Sequence, residues 1–116
     1  MNSVDPWLSL HREISQVLTS YDYHKGDNIY VYKLLQVSID IIVGRTGTCV
    51  HVKRNDIRSN GGSTIIITSN KCQGDLTVSA DPEKGFVLKS GQALSVHEFC
   101  SWLFDLALEL SESEFS

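Results

Sequence analysis

Between residues 29 and 89 the apolar side chains recur with a period of two, and on both sides of that stretch they recur with the period of a helix. One element cannot follow both periods. The chain therefore reads as an N-terminal helix, an antiparallel sheet of about five or six strands, and a long C-terminal helix packed on the sheet, an α+β architecture. Its 116 residues fit a single domain spanning 1–116.

The first helix starts at Asp5-Pro6. Asp caps free backbone N–H groups, and proline suits the first helical position because its missing N–H costs nothing there. Trp7, Leu10, Ile14, Val17, Leu18 and Tyr21 make one apolar stripe, with Arg12, Glu13 and Gln16 opposite, which places the helix at about 6–20. Tyr21 to Asn28 is polar and reads as a loop.

Strands follow. Ile29, Val31 and Lys33 alternate with Tyr30 and Tyr32, and Val37, Ile39, Ile41 and Val43 alternate with Ser38 and Asp40. Gly44-Arg45-Thr46-Gly47 makes a turn, Thr48 to Lys53 alternates again, and Arg54 to Ser63 is a loop around Asn60-Gly61-Gly62. Thr64 to Thr68 is a continuous run suited to a central strand, because exposed it would promote aggregation. Leu76 to Ala80 and Gly85 to Lys89 flank the hairpin turn Asp81-Pro82-Glu83-Lys84-Gly85.

Ser95-Val96-His97-Glu98 is a capping box, in which serine and glutamate satisfy each other's free N–H groups, and the helix it opens runs to about Leu110. Its apolar set, from Val96 and Phe99 through Cys100, Trp102, Leu103, Phe104, Leu106, Ala107 and Leu108 to Leu110, is wider than one sheet face buries. Either its own fold covers it on two sides or part of it is an interface. Phe99, Trp102, Leu103, Leu106 and Leu110 are the interface candidates. Residues 111–116 read as a frayed acidic tail.

The net charge of −4 argues against a general nucleic-acid binder, which needs a basic surface to displace counterions. Residues 1–27 carry two positive and four negative charges, 28–75 six and three, and 76–116 two and seven. The middle segment holds a candidate basic patch of Lys53, Arg54 and Arg58, joined by Arg45 and Lys71, for an acidic peptide, a phosphoinositide or RNA. The plainer reading is a solvated loop that balances the acidic termini. The three cysteines, Cys49, Cys72 and Cys100, are odd in number and form no C-x-x-C pair. With no signal pattern, and no run near the ~18–20 apolar residues of a membrane span, a reducing cytoplasmic location is expected.

Little points to chemistry. No histidine stands at i, i+4 from another histidine or a cysteine on a helix, so no metal is expected. The glycine loops lead into strands and not into a helix N-terminus, so neither a phosphate cradle nor a cofactor is expected. His51 lies two residues from Cys49 on one strand face and could activate its thiol. The plainer reading is a small buried thiol beside a half-exposed imidazole. Asp40 reads as alone on the wet face of its strand. Tyr21, Tyr23, Tyr30 and Tyr32 gather near one sheet edge, as binding anchors or as ordinary sheet cover. No enzyme is expected.

Asp75 to Glu112, with the hairpin from Leu76 to Leu88, a short linker, and a helix bearing Phe99, Leu103, Leu106 and Leu110, resembles the class I type III secretion chaperones. These are small acidic cytosolic proteins with an N-terminal helix, a twisted antiparallel sheet and a long C-terminal helix. Helix 6–20 matches their first element. Where the family has a middle helix, Arg54 to Cys72 reads as loop plus strand. The resemblance implies a homodimer that keeps the binding segment of a secreted effector extended along apolar patches, without ATP. A non-catalytic escort for another protein is the leading expectation. A toxin-neutralising immunity protein fits the same compact acidic domain. A pleckstrin-homology-like module would share a last helix containing a tryptophan, here Trp102, and would use the basic patch for phosphoinositide or peptide.

Overall fold

The structure is a computed structural model that describes residues 5–17, 29–44 and 46–112, the side chains of Val17, Tyr30 and Tyr32 apart. Helix α1 (Pro6–Val17) is followed by β1 (Ile29–Leu34), β2 (Ser38–Val43), β3 (Thr48–Asn55), β4 (Ser63–Ser69), β5 (Cys72–Asp81), β6 (Gly85–Val87) and β7 (Ala93–Leu94), and then by helix α2 (Val96–Glu112). The strands form one antiparallel meander, each hydrogen-bonded to its sequence neighbours. The α+β class and the order of elements match the sequence reading. The sheet has seven strands where five or six were expected, because two-residue β7 is too short to show a period.

One face of the sheet is apolar and lies under the helices. Ile39, Ile41, Val43, Val50, Val52 and Ile65 on it are fully buried, and Phe86 closes it at the β6 end. In β1 the alternation slips. Val31 pairs with Ile41, but after an irregularity Lys33 pairs with Asp40 on the wet face and Leu34 with Ile39 on the core side. The bulge thus exchanges a lysine for a leucine at the core, which strict alternation from Ile29 could not show.

Helix α1 begins as its sequence dictates: Trp7 N donates to Asp5 Oδ1 at 3.0 Å. Trp7, Leu10 and Ile14 are wholly buried. The expected residues 18–20 of this helix lie outside the described residues. At the start of α2, Ser95 N donates to Glu98 Oε1 at 2.9 Å and Glu98 N to Ser95 Oγ at 3.1 Å, so the capping box is formed. The Ser95 N–H, and after it the Ser95 hydroxyl, hold the Glu98 carboxyl below its ordinary value.

Helix α2 continues through Glu112, two residues into the segment expected to fray. Ser111 is buried, and its hydroxyl lies 2.8 Å from Thr46 Oγ1, which in turn lies 2.7 Å from Thr48 Oγ1. This polar pin ties the helix end to the β2–β3 turn. The wide apolar arc of α2 is covered on two sides, by the sheet and by α1. Phe99, Cys100, Leu103, Phe104 and Ala107 are buried, while Trp102, Leu106 and Leu110 are only half-buried along one flank.

The β5–β6 turn sets where β6 starts. Asp81 Oδ1 accepts from Glu83 N and Lys84 N at 2.8 and 3.1 Å. Gly85 has φ 88°, and a Cβ there would lie 2.4 Å from the Leu94 carbonyl oxygen, so glycine alone lets β6 and β7 meet.

Candidate binding groove

β5 is ten residues long and β6 only three, and this mismatch opens the sheet. β6 pairs with Ser79, Ala80 and Asp81 of β5. Beyond Val87 the chain turns away: Leu88 N donates to Gln92 O at 2.8 Å, and Gly91 N to Leu88 O at 2.9 Å. On its inner edge β5 stays paired with β4 through Val78, Thr77 and Leu76. Among the described residues, the outer edge of β5 from Cys72 to Val78 has no strand beside it.

A groove of about 660 Å³ occupies that gap, lined by residues 75–79 of β5, by residues 87–90, and by Trp102. The β5 residues lining it are consecutive. Successive strand side chains point to opposite faces, so a groove that touches all of them meets the strand at its edge. A smaller hollow of about 180 Å³ continues behind the β4–β5 hairpin, against Ile67, Leu106 and Leu110, and Asp75 and Leu76 line both.

The helical wall of this groove is placed by the core. Trp102, Leu106 and Leu110 recur every four residues and so share one side of α2. The Phe86 and Phe99 rings stack at 4.2 Å and the Phe99 and Trp102 rings at 5.5 Å, a row of three aromatics that runs from the core to the groove. Leu76, 49% exposed, stands on the opposite wall. Glu98, Asp105 and Glu109, all exposed, lie three or four residues from Trp102 or Leu106 and give the helical rim an acidic edge. Asp75 adds a further carboxylate to the lining, against one cation, Lys89.

Of the five α2 residues singled out from sequence, Phe99 and Leu103 are fully buried and serve the core, while Trp102 lines the groove and Leu106 and Leu110 line the smaller hollow beside it. Lys53 and Arg54 do not converge. Lys53 is exposed on the wet face. Arg54, one residue on, belongs to β3 and not to a loop; it turns to the helical side, where its Nη2 lies 2.5 Å from Asp5 Oδ2 and its side chain is 9% exposed. Arg58 donates to the Ser63 carbonyl at 3.1 Å. Arg45, Tyr21 and Tyr23 lie outside the described residues, as do the side chains of Tyr30 and Tyr32. The first four residues of β5 escaped the sequence reading, which began this strand at Leu76, because Cys72-Gln73-Gly74-Asp75 has no apolar alternation to reveal a strand. Among the described residues, the other large exposed apolar side chains are Leu8 on α1, Leu35 and Val37 at the β1–β2 turn, and Ile57 in the β3–β4 loop.

On the wet face Asp40 is not alone. It sits opposite His51 in the β2–β3 ladder, and its Oδ1 contacts His51 Nδ1. The nearby Cys49 thiol is pushed up, by burial first and then by the Asp40 charge, the reverse of what a nucleophile needs. Burial, aided by Glu13, pushes Cys100 up to about 12. Alkylation with iodoacetamide at mildly alkaline pH is therefore expected to reach exposed Cys72 first, Cys49 more slowly, and Cys100 only on unfolding. Time-resolved peptide mapping checks the order, and labelling of Cys49 ahead of Cys72 would reinstate it as an activated thiol.

Among the described residues no cluster of three or more His, Cys, Asp or Glu could hold a metal ion, and no helix is long and apolar enough to cross a membrane. No protein family, curated protein or solved structure matches this chain.

Proposed function

We propose that this chain is a non-catalytic protein-binding domain that escorts another protein by holding an apolar segment of it in the groove between β5 and α2. The observation that supports this reading is the partly buried row Trp102, Leu106 and Leu110, beside a strand edge that has no neighbour among the described residues. Covering that row with apolar side chains provides affinity, and the acidic rim selects the partner and speeds encounter. The upward shift of Cys49 supports binding over thiol catalysis.

On this reading the chain works in the cytoplasm, where its free cysteines stay reduced, and a secreted effector is the client class that goes with the chaperone resemblance. The homodimer belongs to the same proposal: light scattering would give about 26 kDa, twice the 12.9 kDa chain, and a mass fixed at 12.9 kDa would leave the groove to a single copy. An immunity protein would use the same groove against a toxin. The phosphoinositide alternative draws less support, because Asp5 already pairs with Arg54 and Lys53 lies on the opposite face of the sheet.

The test is a Trp102→Asp/Leu106→Asp variant. The native partner is identified by cross-linking, and its affinity is then measured with purified components. The double change is expected to weaken binding at least ~30-fold, the effect of losing a central aromatic anchor. Unaltered affinity in a variant that still folds would refute the groove as the binding site.

A further inference from the structure

We infer that the occupant of the groove is an extended peptide segment that adds to the sheet as a new strand on the outer edge of β5, with apolar residues at alternate positions and basic residues between them. This rests on the groove reading above and adds to it the mode and chemistry of recognition.

The edge itself carries the inference. Leu76 to Val78 is regular strand, paired with β4 alone among the described strands, and spans about 10 Å at ~3.4 Å per residue; the β4–β5 ladder is irregular just before it. Every second residue along it directs its N–H and C=O away from β4, toward the groove. Gly74, with φ 91°, marks where the extended geometry ends. Natural sheets blunt such edges with proline, charged side chains, bulges or a covering segment, or by keeping the edge strand very short. β7, at the end of the sheet, is two residues long and follows that practice. Leu76-Thr77-Val78 carries no proline, charge or bulge. An incoming strand would lie about 4.8 Å from β5, in the space between it and residues 87–90.

The side-chain pattern follows from the pleat. Leu76 and Val78 face the helices and Thr77 the wet side, with Asp75 exposed next to Leu76. Alternate residues of an added strand therefore meet Trp102 and Leu76, while those between them emerge beside Asp75. Apolar groups suit the first set and cations the second, with Glu98, Asp105 and Glu109 flanking the helical wall. Lys89 is outnumbered. Main-chain pairing supplies affinity, and the alternate pockets supply selectivity.

The experiment pans a library of short random peptides displayed on phage against the full chain. The Leu76→Asp/Trp102→Asp variant, its fold checked by circular dichroism, is the control. Enriched peptides are expected to show apolar residues at every second position with Lys or Arg between. In a synthetic version, N-methylation of one alternate set of amides should weaken binding at least about tenfold, and of the other set hardly at all. Helical anchor spacing, or indifference to both methylated sets, would overturn strand addition and leave the groove reading standing. Absence of any enrichment over the control variant would overturn both.

Discussion

Replacing Trp7 with alanine is expected to remove about 3–5 kcal/mol of folding stability, the range for deleting a fully buried aromatic side chain. The indole has no exposed surface. Its Nε1 also donates to the Gln36 carbonyl at 2.9 Å, so the change opens a cavity and strands an acceptor in the β1–β2 turn. Domains of this size hold only about 5–15 kcal/mol in all, so the variant stands close to unfolding. Urea denaturation measures the loss. The matching change at Trp102 should cost less, because that ring is only partly buried, and its larger effect should fall on partner binding. A Trp102→Ala protein less stable than Trp7→Ala would contradict the placement of the two rings.

Asp5→Ala is expected to cost about 2–4 kcal/mol, since one carboxylate has two tasks. It caps α1 through Trp7 N, worth about 1 kcal/mol. It also pairs with Arg54, whose side chain is 9% exposed against 18% for Asp5. Removing one member of a buried pair costs about 3–5 kcal/mol, and partial exposure of both groups reduces that figure here. Arg54→Met in the Asp5→Ala background should restore most of the electrostatic part, because the guanidinium then no longer waits uncompensated beneath the sheet. The cap stays lost. If thermal denaturation finds the double variant no more stable than the single one, the pair is not what fastens α1 to β3.

Local chemistry was legible where neighbouring residues suffice to produce it. Asp5-Pro6 and Ser95 to Glu98 specify helix starts, since cap and capped N–H lie within three residues of each other. The alternations over β2 and β3 show their buried face for the same local reason. Asp40 and His51 were each visible but not as a pair, because their contact depends on the β2–β3 register. Arg54 was assigned to a loop because a charged residue ends an apolar alternation, and its partner stands 49 residues away. Ser111 looked like tail for the same reason: the hydroxyl that holds it belongs to Thr46.

The candidate site divides along the same line. The width of the apolar arc on α2 was plain from spacing, and with it the need for more than one covering surface. Only the tertiary structure decided which part of the arc is sealed. The sheet and α1 take Phe99, Leu103 and Ala107, and Trp102, Leu106 and Leu110 stay at the flank. The groove depends on a strand that continues after its partner has turned away, so no single segment encodes it. By itself the sequence determined the class of each long element, the faces they bury and the points where the helices begin, because those follow from periods and caps within a few residues. The tertiary structure alone decided the register, the pairing of distant charges and the open edge of β5, because each is a relation between segments whose separation along the chain carries no local signal.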